Sequence, residues 1–103
     1  MLKIIKVTGN SLSPFFLSGD YVFISTNHSA YSQLRPGSTV VFNHPDFGQL
    51  IKRVHTNYPE SQNVKVTGIN KDSISSHKLG LIPYSDIIGK VKFHIKQPRK
   101  QSR

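Results

Sequence analysis

Apolar residues in this chain come in short runs, several of which alternate with polar neighbours at a period of two, the spacing of a half-buried strand. Leu2 to Val7 reads as a first strand, ended by a Gly9-Asn10 turn, and Gly19-Asp20 launches a second from Tyr21 to Ser25. The turn signal Arg35-Pro36-Gly37 precedes Ser38-Thr39-Val40-Val41-Phe42-Asn43, which has the β-branched and aromatic content of a strand. His44-Pro45-Asp46-Phe47-Gly48 then makes a hairpin connection into Gln49 to His55. Asn63 to Thr67 alternates cleanly. In the last run, Gly89 to Ile95, Val91, Phe93 and Ile95 predict a covered face and Lys90, Lys92 and His94 a wet one.

The segments between these runs read as connections. Pro14 with Phe15-Phe16-Leu17 suggests a buried turn or short helical segment, and Thr26 to Leu34 a polar surface excursion without chemistry. Asn57 to Gln62 reads as a loop around Pro59, Gly80 to Pro83 as a corner, and Tyr84 to Ile88 as a short turn. Ile69 to Lys78, rich in Ser, Asn, Asp and Lys, is a loop, ordered or mobile. Six or seven short strands without a long helix predict a single small all-β domain built on a twisted, partly closed sheet or barrel. Its bounds are residues 1–95, with 96–103 as a basic flexible C-terminal tail.

Composition narrows the function classes. A chain of 103 residues fits one domain and one site. With no cysteine, thiol nucleophiles and Cys-ligated metals are excluded, and any covalent chemistry falls to hydroxyls. The net charge of +9 raises nucleic acid as a partner. Four of the fourteen bases lie in the acid-free stretch from Lys96 to Arg103, however, leaving ten against five acids in the rest, so the nucleic-acid reading is the weaker one. No window is long and apolar enough for a transmembrane segment, and the N-terminal run lacks the apolar centre of a signal peptide. The expected location is cytoplasmic or peripheral to a membrane, with Phe15, Phe16 and Leu17 either in the core or against a lipid surface.

Two residues carry candidate chemistry. Ser11 sits in a turn between two strands, where it is either part of a polar, Pro-fixed bend or a nucleophile. Lys52 shares a strand face with Leu50 and Val54, opposite to Ile51, Arg53 and His55. A lysine there is either an edge-strand residue that returns its charge to water or a desolvated amine serving as a general base. The five histidines show no pair at metal-ligand spacing on one element, and no phosphate-cradling Gly-rich loop or paired-carboxylate signal occurs. Neither metal nor cofactor is expected.

Taken in order, these segments resemble the serine-lysine peptidases grouped around type I signal peptidases and the self-cleaving domains of SOS-type repressors (S24/S26-type). Val7-Thr8-Gly9-Asn10-Ser11-Leu12-Ser13-Pro14 resembles the nucleophile motif of that group, with Leu12 in its methionine place, and Gly19-Asp20-Tyr21-Val22 its continuation. Arg35 to Val41 looks like the second glycine-led strand, and Gln49 to Val54 like the strand bearing the general-base lysine, with Lys52 lying 41 positions after Ser11. Val66 to Val91 resembles the region that follows. In size the chain is similar to the maturation proteases of nickel-type superoxide dismutase.

The resemblance implies the sheet of a signal-peptidase catalytic core, Ser11 as nucleophile, Lys52 as the base that takes its proton, and Ser73 as the hydroxyl orienting the amine. Gly9, Asn10 and Ser76 complete the supporting set. The Ser11 backbone N–H would hold the oxyanion, without the side-chain hydroxyl that some relatives place where Gly9 stands. Ile69, Ser75 and His77 depart from the group's aspartate, aspartate and arginine. The implied function is a small serine endopeptidase that removes a leader or pro-segment from a protein bound as an extended strand. The alternatives are a weak or inactive peptidase-like binding protein and a basic nucleic-acid-binding barrel.

Overall fold

A computed structural model of the chain describes residues 2–6, 19–67 and 76–95. Seven strands form one antiparallel sheet: β1 (Leu2–Lys6), β2 (Tyr21–Ser25), β3 (Thr39–His44), β4 (Gly48–Tyr58), β5 (Asn63–Thr67), β6 (Ile82–Pro83) and β7 (Ile87–Ile95). Their spatial order is β1-β2-β7-β3-β4-β5-β6. The all-β architecture expected from the sequence is the one observed, as a sheet that is not closed on itself. Helical structure among the described residues is confined to a four-residue helix α1 (Ser76–Leu79) and 3-10 turns at His28–Gln33 and Tyr84–Asp86.

The β3–β4 hairpin forms the centre. Thr39 pairs with Arg53 and His44 with Gly48, and Gly48 closes the turn at a φ of 76°, a conformation open to a residue without a Cβ. β3 is buried on both sides. Val40 and Phe42 join Tyr31, Leu34, Val54, Val64, Val66, Leu79, Ile82 and Ile87 on one face, while Val41 joins Val22, Ile24 and Ile51 on the other. Double burial explains why the β3 run is continuously apolar where the outer strands alternate. Gly89, paired with Val41, marks a close approach of β7 to β2: a Cβ there would lie 2.6 Å from the Ser25 carbonyl oxygen.

Three expectations are corrected. The excursion Thr26 to Leu34 is anchored, since Tyr31 and Leu34 are buried in the core and Asn27 Oδ1 caps the 3-10 turn by accepting from Ser29 N. Asn57 belongs to β4, paired with Val64, rather than to the loop assigned from Asn57 onward. The faces of β7 also exchange along its length. Val91 is opposite Ile24, but a bulge makes Phe93 the partner of Phe23 and His94 that of Val22. Phe93 and Ile95 therefore stand exposed beside Leu2 and Ile4, while His94 turns inward to Asp20.

Candidate active site

The site is built on β4. Lys52 lies directly opposite Val40, between Leu50 and Val54 on the same face, as alternation predicts. It is 0% exposed, and its Nζ has no hydrogen-bond partner among the described residues. β4 runs between β3 and β5, so this is an interior strand, and the edge-strand reading of Lys52 is overturned. The ammonium has no route back to water. Burial accordingly holds its pKa below the ordinary value of 10.5, because the charged form loses its hydration. What results is an amine disposed to carry a free lone pair, the state a general base requires.

Two connections leave the sheet, one next to β4 and one at the far edge, from β1. Thr67, the last residue of β5, pairs with Arg53, so residues 68–75 begin beside Lys52. They end at α1, where Leu79 is buried and its carbonyl lies 3.0 Å from His44 Nε2. Asp46 N–H donates to His44 Nδ1 at 3.0 Å, which fixes the tautomer so that Nε2 donates to Leu79. Both ends of the connection are thereby tied to the β3–β4 hairpin. The other connection, residues 7–18, leaves from Lys6 and returns at Gly19, whose φ is 97°. Asp20, fully buried, follows immediately and meets His94 Nε2 at 2.8 Å.

Of the residues expected to act, Lys52 is placed in full and Ser76 opens α1. Gly9, Asn10, Ser11, Ser73, the Phe15-Phe16-Leu17 turn, the 69–75 part of the supporting loop and the tail 96–103 lie outside the described residues. The model of the peptidase S24-like family matches residues 1–92. The chain belongs to that family. The matched region of this S24-like chain runs from β1 through most of β7 and takes in both connections, Ser11 and Lys52. No curated protein matches it. Among the described residues, no helix is long and apolar enough to cross a membrane.

Sequence reasoning missed the residue that braces this S24-like scaffold. Asn57 Nδ2 donates to the carbonyls of Tyr31, Ser32 and Leu34 at 3.0, 3.2 and 3.0 Å, while its Oδ1 accepts from the Tyr84 hydroxyl at 2.6 Å. One amide thus holds the end of the 3-10 turn against β4. An asparagine with poor strand propensity beside a β-branched run was the available signal.

Proposed function

We propose that the chain is a serine endopeptidase in which Lys52 takes the proton of Ser11, and the freed alkoxide attacks a peptide carbonyl of a protein substrate. The observation that carries this reading is the fully buried Lys52 amine, without a hydrogen-bond partner among the described residues, in a chain of a peptidase family. Attack forms the Ser11 ester and releases the new amine after it accepts the proton from Lys52. Water, deprotonated in turn by Lys52, then hydrolyses the ester. Ser73 is assigned to orient the amine, and the Ser11 backbone N–H, with Gly9 and Asn10 shaping the turn, to hold the oxyanion. A leader or pro-segment, extended beside the sheet, is the proposed substrate.

The purified chain should be labelled by an acylating serine inhibitor, and labelling should rise with pH as Lys52 loses its proton. Because its pKa is lowered, that rise should be centred below 10.5. Ser11→Ala and Lys52→Met should abolish labelling. Full labelling of folded Ser11→Ala protein would refute the assignment. A second reading, a peptidase-like binder without turnover, is favoured by Ile69, Ser75 and His77 in the supporting loop. Peptide capture by the folded chain without labelling at any pH would select it.

A further inference from the structure

On the face that carries Lys52, four adjacent strands align one residue each: Ser25 of β2 pairs with Lys90 of β7, Lys90 with Val40 of β3, and Val40 with Lys52 of β4. Directly paired residues share a face, so Lys90 projects to the same side as the buried amine. Beside Lys90 the surface opens into a cavity of about 140 Å³. Its walls are Tyr31, Leu34 and Ala30, and its polar lining is Ser25, Asn27, Gln33, Lys90 and Lys92. Lys92, which the pairing of β7 with β2 skips, lines the same opening as Lys90.

Among the described residues the lining is rich in donors and holds no carboxylate. Among the described residues neither Lys90 nor Lys92 has an acidic partner. Asn27 commits its Oδ1 to Ser29 N and Oγ at 3.2 and 2.7 Å, which leaves its amide N–H groups to donate elsewhere. Two ammonium groups, a carboxamide and a serine hydroxyl around one recess form a receptor for a small anionic group.

We propose that this recess is a specificity subsite that receives the carboxylate of an acidic side chain of the peptide substrate. The identity of the occupant rests on the peptidase reading; the anion site itself does not.

The test is binding without turnover. Isotope-labelled full-length Ser11→Ala protein is titrated with the blocked peptide acetyl-Ala-Ala-Glu-Ala-Ala-amide and with its Gln counterpart, following the amide resonances of Asn27, Gln33, Lys90 and Lys92. The Glu peptide should move these resonances and bind about tenfold more tightly than the Gln peptide, as expected of a charge-assisted contact. The difference should vanish in a Lys90→Gln, Lys92→Gln variant whose other resonances are unchanged. Equal affinities would overturn the proposal. So would inorganic phosphate moving these resonances when the Glu peptide does not, or tighter binding of a short oligodeoxythymidine lost in the same double variant. Failure here leaves Ser11 labelling untouched, and failure of labelling leaves the anion site standing.

Discussion

Replacing Lys52 with methionine should abolish peptidase chemistry and at the same time stabilise the fold. Lys52 is completely buried and Nζ has no partner among the described residues, so folding strips the amine of its hydration, a penalty of about 1–3 kcal/mol that hydrogen bonds with Ser11 and Ser73 would only partly offset. Protonation adds to this penalty, by about 1.4 kcal/mol for each unit by which the folded pKa lies below the unfolded one. The sign follows from proton counting. Between the lowered folded pKa and the ordinary 10.5, the unfolded chain binds more protons, so wild-type stability rises with pH through that window. Below the window both states are protonated and the burial penalty is complete; above it only the lost hydration of the neutral amine remains. Methionine is similar in length, flexible enough to fill the same space, and free of both terms. Lys52→Met should therefore be more stable at pH 7 by about 1–3 kcal/mol, or about 4 °C or more in Tm for a domain of this size. Its advantage should shrink as pH climbs toward 10.5. Urea unfolding followed by circular dichroism at a series of pH values measures this directly. A Met variant less stable than wild type, or an advantage that grows with pH, would refute the reasoning.

Other perturbations probe the scaffold. Asn57→Asp turns a donor facing three carbonyls into an acceptor and should destabilise the chain by about 2–4 kcal/mol, with faster hydrogen exchange at residues 28–34 than elsewhere. Gly89→Ala forces a methyl against the Ser25 carbonyl and should cost about 1–3 kcal/mol in urea unfolding, whereas Ala at the open Gly80 position should cost only its left-handed backbone strain, about 1 kcal/mol. His94→Ala removes one partner of the buried Asp20 carboxylate and should lower stability by about 1–3 kcal/mol at pH 7. His94→Gln, which can still donate, should recover part of that loss in the same unfolding assay.

Most strands were legible because their cause is local. β2 and β5 have the predicted bounds, and the β3–β4 hairpin follows from its turn residues and a period of two. The face of Lys52 was legible for the same reason. Its depth was not: strand order, set by pairings distant in sequence, decides whether a lysine on an apolar face lies at an edge or in the interior. Tyr31 and Leu34 were read as surface because their anchor, Asn57, lies more than twenty residues away. The ends of β7 were misassigned because a bulge shifts alternation by one without a sequence signature as plain as glycine or proline. Ser11 and Ser73 rest on motif order and family membership, since both lie outside the described residues.

The continuous burial of Val40, Val41 and Phe42 has a consequence for how the sheet assembles. In a strand with one wet face, slipping by a residue would drive polar groups inward, and solvation alone selects the pairing. Across Val40, Val41 and Phe42 that safeguard is weak, since either face of this run is at home in the interior, and only Thr39 and Asn43 oppose a slip. The choice falls instead to two glycines: Gly48, whose φ of 76° closes the hairpin, and Gly89, which admits the Ser25 carbonyl. Two residues without side chains thus protect the central strand from misaligned folding traps, and with it the alignment of Lys90, Val40 and Lys52.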